Sequence, residues 1–183
     1  MPSTICAVAH VHRSKQPTVR VAVTEDAHRI SDLLPHLGYQ VSADEASLRL
    51  AYVLGSPNHA VFVAEAHREL VGLCLLAGVR HIASAGYAEV MELVVHSGHQ
   101  GQGVGRSLLQ QAEAWAVSQG YGRVRLRSGV QREEAHQFYE RLGYSRSRAS
   151  YAFERTLAAI QPPEPTWVGA HRLPPWPTSA SES

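Results

Sequence analysis

From Glu92 the chain reads Glu92-Leu93-Val94-Val95-His96-Ser97-Gly98-His99-Gln100-Gly101-Gln102-Gly103-Val104-Gly105-Arg106. An apolar, strand-like run meets a glycine-rich loop. An amphipathic helical repeat follows at once, with Val104, Leu108, Ala112, Trp115 and Ala116 on one face before Gly120. Gly101, Gly103 and Gly105 strip side chains from the backbone where strand turns into helix. The first amides of a helix lack internal partners and sit at the positive end of its dipole. This turn therefore suits a phosphate or pyrophosphate group.

Spacing narrows the kind of site. A P-loop needs Gly-x-x-x-x-Gly-Lys-Ser/Thr, but the position five before Gly105 is Gln100 and the lysine is missing. A dinucleotide fingerprint needs Gly-x-Gly-x-x-Gly, whereas the glycines here alternate. No acidic residue closes the next strand-like run, Arg123 to Val130, where a ribose partner would stand. The pattern Gln/Arg-x-x-Gly-x-Gly/Ala fits directly, as Gln100, Gly103 and Gly105.

A second segment carries its own signal. Ala135, Phe138, Tyr139 and Leu142 form one helical stripe that ends at Gly143, within Ala135-His136-Gln137-Phe138-Tyr139-Glu140-Arg141-Leu142-Gly143-Tyr144. Loop and stripe together resemble the GCN5-related N-acetyltransferase (GNAT) family, whose last helix typically carries Ala-x-x-Phe-Tyr-x-x-x-Gly-Tyr/Phe. The resemblance covers about Val19 to Leu157. Leu34-Pro35-His36-Leu37-Gly38-Tyr39 and the hairpin through Val63-Ala64-Glu65 and Val71-Gly72 also look like this family, with less specificity.

Periodicity gives the expected elements. Val19 to Val23 reads as a strand, a helix runs from about Ala27 to Leu37, and Gly38 closes it. Ser42-Ala43-Asp44-Glu45 has capping-box spacing and opens a helix towards Leu54. Ala60 to Ala66 and Leu70 to Gly78 read as a hairpin around His67-Arg68-Glu69, and Glu89 to Val95 as a further strand. After the loop and its helix come a strand from Arg123 to Val130, a helix from Arg132 to Leu142, and Tyr144 to Leu157 as mostly strand. The order is β-α-α-β-β-β-α-β-α-β, an α/β (α+β) arrangement. With the resemblance, the expected fold is the acyl-CoA N-acyltransferase fold: a mixed, mostly antiparallel sheet of six or seven strands flanked by about four helices.

Bulk properties fit one domain. The chain has 183 residues, enough for a sizeable core, and no composition break divides it. A net charge of +1 gives no strong field for nucleic acid or an anionic membrane, and no run approaches a membrane span. Cys6 and Cys74 make no disulfide framework, so a reducing, cytoplasmic setting is the default. Residues 1–17 read as a loose arm, 18–158 as the acetyltransferase domain, and 159–183 as a proline-rich, disordered or extended tail. Trp167 or Trp176 of that tail is an alternative arm onto the domain or a partner subunit. Eleven histidines invite a metal, but His10-x-His12 and His96-x-x-His99 lack companions at ligand spacing, and none is expected.

The resemblance implies the chemistry. Acetyl-CoA is the cosubstrate. Main-chain groups of Leu93, Val94 and Val95 would hold the pantetheine arm and thioester. Gln100, Gly101, Gln102, Gly103, Val104, Gly105 and Arg106 would hold the pyrophosphate, and Tyr139 would donate a proton or hydrogen bond to the departing sulfur. A phenol of pKa about 10 protonates a thiolate whose acid lies near 8.5 only with help from position, so this role is partly electrostatic. Something must accept a proton from the amine. Glu92, placed by strand alternation on the face opposite Leu93, is the first candidate, with Glu89 and His96 behind it.

The expected acceptor is a small-molecule amine, aminoglycoside-like acceptors included, or a peptide amine. A homodimer is also admitted. Asp26, Asp32, Asp44 and Glu45 read as helix-start charges or as an acidic wall for a cation. A coenzyme-A-binding sensor without turnover is the alternative. Three positions depart from the family pattern: Ser97 stands where proline is common, Gln100 for arginine, and Arg132 for the asparagine of many members.

Overall fold

The computed structural model describes residues 17–156. The arm before Pro17 and the proline-rich tail, with Trp167 and Trp176, lie outside the described residues. Five strands are seen: β1 (Thr18–Val21), β2 (His59–Ala66), β3 (Glu69–His81), β4 (Ser84–Val95) and β5 (Val124–Leu126). They form one sheet in the order β1-β2-β3-β4-β5, antiparallel except for the parallel β4–β5 pair. The helices are α1 (Ala27–Ser31), α2 (Ala43–Leu54), α3 (Val104–Ser118) and α4 (Glu133–Arg141). None of them is long and apolar enough to cross a membrane.

Local chemistry explains most boundaries. Ser42 Oγ accepts from the Glu45 amide at 3.2 Å, and the Glu45 carboxylate accepts from the Ser42 amide at 3.3 Å, which starts α2 as its capping box requires. His67 and Arg68 take positive φ values of 52° and 70°, turning the β2–β3 hairpin in two residues. The first helix is shorter than the sequence pattern promises. It ends at Ser31, and a separate 3-10 turn covers Leu34–Leu37. Pro35 supplies no amide and disfavours helical backbone at Leu34, so the helix breaks before it. Gly38, with φ of 89°, closes the turn.

Two expectations about the sheet need correction. β5 keeps only three residues of the expected Arg123–Val130 run. Residues 144–156 contain no strand, so the described sheet has five strands rather than six or seven. The stretch Ser145-Arg146-Ser147-Arg148-Ala149-Ser150 is polar but for one alanine, so pairing it would bury almost no apolar face. Tyr151 and Phe153 beyond it stand exposed. Leu157 lies outside the described residues.

Two cores sandwich the sheet. On one face α1, the turn that follows it and α2 bury Ile30, Leu33, Leu50 and Val53 against Val61, Val63, Leu73 and Val94. On the other face Val104, Leu108, Leu109 and Ala112 of α3 cover Phe62, Cys74, Leu76 and Val90, with Phe138 and Tyr139 of α4 at the margin. Gly72 permits this closeness: a Cβ there would come within 2.9 Å of both Val104 and Leu108.

Candidate active site

The site begins with an irregularity in β4. Leu75 of β3 pairs with Glu92 and Leu76 with Val90, leaving Met91 as an extra, exposed residue. A β-bulge of this kind shifts side-chain parity. Val90 therefore lies in the α3-side core, whereas Glu92 and Val94 face the α1–α2 side, and Leu93 and Val95 return to the α3 side. The bulge also marks where β5 leaves. β4 pairs with β5 only at Ala88, Glu89 and Val90. From Met91 to Val95 the strand keeps β3 on one side and no strand on the other, among the described residues.

The glycine loop continues from this open edge. A short 3-10 turn at Ser97–His99 precedes it. Gln100 Nε2 donates to the Val95 carbonyl at 3.4 Å and Gln102 Nε2 to the Gly98 carbonyl at 3.0 Å, so both glutamines staple the loop from within. Gly101 and Gly103 have φ of 73° and 85°, a backbone that other residues enter with strain. Gly103 caps α3, and the Ser107 amide is the first to return, to the Gly103 carbonyl at 3.0 Å. No acceptor among the described residues is bonded to the amides from Gly101 to Arg106. These donors, at the positive end of a 15-residue helix, fit a pyrophosphate. The side chain of Arg106 is exposed beside them. The side chains of Val94 and Val104 are in the cores, so either residue would meet a coenzyme through its main chain alone.

α4 closes the same side. A Cβ at Gly105 would approach Phe138 Cζ at 3.0 Å and Val95 Cγ2 at 3.6 Å, which brings loop, strand edge and helix together. The Tyr139 ring lies between those of Phe138 and Tyr144, at 5.2 and 6.1 Å. Its phenol is raised above the ordinary value by burial, with Arg132 acting the other way. The Tyr144 hydroxyl donates to Glu113 at 2.8 Å, whereas no hydrogen bond holds that of Tyr139 among the described residues. Ser128, just past β5, buries an unpartnered Oγ.

Glu92 stands across the strand from Tyr139. It lines a cavity of about 340 Å³ between α1, α2 and the sheet, together with Ile30, Leu34, Tyr39, Leu50, Leu73 and Arg49. Burial raises the Glu92 carboxyl above its usual range, and Arg49 partly opposes that. The other base candidates are engaged. Glu89 pairs with Arg127 at 3.0 Å, and His96 Nδ1 accepts from the Gly98 amide at 3.2 Å. His96 also packs against His36 and His99, at 4.7 and 5.8 Å between rings. Among the described residues no three His, Cys, Asp or Glu converge as a metal site. Of the four early acids, Asp26 is consumed in an ion-pair network with Arg20, and Glu45 caps α2 and lies 3.6 Å from Arg49.

Sequence reasoning missed Arg49. It sits four residues after Glu45 and reads as one of a pair on a helix face. Only folding shows that its Nε is buried with no partner.

Known proteins place this geometry. Residues 25–144 match the model of the Acetyltransferase (GNAT) family. The chain is 33% identical over 145 residues to an aminoalkylphosphonate N-acetyltransferase of Salmonella typhimurium, covering 76% of this chain and 90% of that relative. Solved structures share the fold at lower identity. A transcriptional regulator from Bacillus halodurans superposes with a TM-score of 0.68 at 23% identity, covering 76% of this chain and 99% of that one. An aminoglycoside acetyltransferase from an uncultured soil metagenomic sample, in complex with trehalose, gives a TM-score of 0.66 at 19% identity, covering 78% and 97%.

Proposed function

The chain belongs to the GNAT acetyltransferase family, and from that premise we propose that it transfers the acetyl group of acetyl-CoA to a primary amine of a small molecule, by direct attack within a ternary complex. The observation that carries this reading is the run of unpaired amides from Gly101 to Arg106, continuous with the open edge of β4 at Leu93 to Val95. The amides take the pyrophosphate. The strand edge takes the pantetheine and presents the thioester at the gap left by β5.

The acceptor enters from the α1–α2 side, through the cavity that Glu92 lines. Glu92 receives the amine proton, directly or through water, and its raised pKa brings it closer to the working range of a general base. Tyr139 waits on the coenzyme side, its hydroxyl without a partner among the described residues, and places a hydrogen bond or proton on the leaving sulfur. The chain's own residues thus divide the two proton movements between opposite faces of one strand. The aminoalkylphosphonate substrate class of the Salmonella relative and the aminoglycoside class of the structural neighbour give two acceptor classes to compare. This reading puts the enzyme in the cytoplasm.

Calorimetric titration tests the coenzyme half: acetyl-CoA binds and ATP and NAD do not, and the reverse would sink the assignment. An amine panel read by released thiol tests the other half, because binding without thiol release describes a sensor instead. Y139F should lower turnover about tenfold or more with acetyl-CoA affinity nearly unchanged. Wild-type turnover in that variant removes Tyr139 from the mechanism.

A further inference from the structure

The cavity beside Glu92 is lined by apolar side chains apart from two charged ones, Glu92 itself and Arg49, and Tyr39. Arg49 is poorly satisfied there. One terminal nitrogen lies 3.6 Å from Glu45, beyond a good hydrogen bond. The Glu45 carboxylate is meanwhile drawn to the Ser42 amide and hydroxyl, both at 3.3 Å. The Arg49 Nε is buried and donates to no acceptor among the described residues. A buried donor without an acceptor is costly, and native structures keep few of them. A guanidinium presents Nε and a terminal nitrogen as a flat two-pronged edge, the complement of two oxygens on one carbon or phosphorus.

We infer that Arg49 determines acceptor specificity by holding an anionic group, a carboxylate or phosphonate, of a compact amine whose nitrogen points towards Glu92. The inference rests on reading this cavity as the acceptor site. Size and charge agree with it. About 340 Å³ lies at the small end of ligand clefts, which run from about 300 to 1,000 Å³. One guanidinium and one carboxylate in the same cavity wall suit a ligand carrying one charge of each sign on a short apolar link. A multi-ring polycation would need several free carboxylates, and among the described residues the cavity wall has one carboxylate, Glu92. Asp26 is already bound to Arg20 at 2.7 Å.

The test uses the full chain at saturating acetyl-CoA with amines of matched length. 2-Aminoethylphosphonate and β-alanine are set against propylamine, with one aminoglycoside as the polycationic arm. Thiol release should favour the anionic amines over propylamine by about 30-fold or more in kcat/KM, and the two anionic amines separate phosphonate from carboxylate recognition. R49Q should bring that ratio to within about threefold of one, mainly by raising KM for the anionic amines, and R49K should restore part of it. Calorimetric binding of 2-aminoethylphosphonate to wild type and R49Q supplies a readout that needs no turnover, and acetyl-CoA binding reports that the variant is folded.

A wild-type protein that acetylates propylamine as well as β-alanine and 2-aminoethylphosphonate, or that prefers the aminoglycoside, overturns the inference. An equal loss on charged and neutral amines in R49Q does the same. The underlying reading fails separately: binding of anionic amines through Arg49 with no thiol released keeps the specificity residue and discards acetyl transfer. Thiol release without charge preference does the opposite. Should R49Q not fold, the wild-type ratio alone still decides.

Discussion

Asp26 and Glu92 both turn towards the α1–α2 side of the sheet, yet Asp26 accepts from two Arg20 nitrogens at 2.7 Å while no hydrogen bond or ion pair holds Glu92 among the described residues. The first carboxylate is surrounded by donors. The Val23 amide reaches it at 2.9 Å, Arg29 lies 3.7 Å away, and Glu65 joins the same two arginines at 2.7 and 3.0 Å. These contacts hold Asp26 and Glu65 below the usual carboxylate range, with the Arg20 hydrogen bonds as the main cause in both. Glu92 has only burial and a distant guanidinium, and its pKa moves the other way. On the proposed function, stability and reactivity are thereby kept in different arginine–carboxylate sets. The network ties β1, β2 and α1 together. The cavity pair is left open for something to arrive.

Breaking the first set should cost the most. R20A leaves Asp26 and Glu65 without their main partner and should destabilise the protein by about 3 kcal/mol, read by denaturant unfolding. A loss below about 0.5 kcal/mol would make the network ornamental. E92Q addresses the second set. It should lower kcat about 100-fold, in the range of general-base removal, while unfolding free energy holds or rises. A stability loss as large as that of R20A would put both carboxylates in the same structural category.

The smallest effect is the most diagnostic. Lowered pKa values mean that the stability from Asp26 and Glu65 is present above the ordinary carboxylate value and is lost as pH falls through their folded values. The raised pKa of Glu92 has the opposite sign. Its contribution is fully present below the unfolded value near 4.5 and disappears as pH rises through the folded value. R20A should therefore flatten the acid limb of the stability profile, and E92Q the slope above pH about 4.5. Identical profiles in the two variants would erase the contrast.

What was legible in the sequence was local. Ser42 and Glu45 announce their capping box because both partners lie within one turn, and His67-Arg68 sits between two alternating runs. The glycine loop, α3 and the Phe138-Tyr139 helix are carried by contiguous patterns that place coenzyme-side chemistry on the page at once. The break at Pro35 was visible in principle, but the apolar spacing through Leu37 masked it. Contacts across the fold stayed hidden. Nothing near Met91 marks a bulge, because Val90-Met91-Glu92-Leu93 contains no glycine or proline. Arg49 and Glu92 line one cavity only because α2 folds onto the face of the sheet that Glu92 occupies, and no local spacing encodes that. Exposed Tyr151 and Phe153 show the converse: an alternating pair of aromatics makes no strand without a neighbour to bond.

Met91 behaves like a frameshift in the side-chain code of β4. Upstream of it, even positions such as Val90 feed the α3-side core; downstream, even positions such as Glu92 and Val94 face the opposite layer. The two halves of one strand are thus written in different frames, and the second carries both a core residue, Val94, and the base candidate of the proposed function, Glu92. Deleting Met91 would merge the frames. Glu92 would then follow Val90 directly, opposite Leu75 beside Leu76, so plain alternation would keep it on the α1–α2 face; what one missing residue would remove is the local bend at the point where β5 leaves the strand.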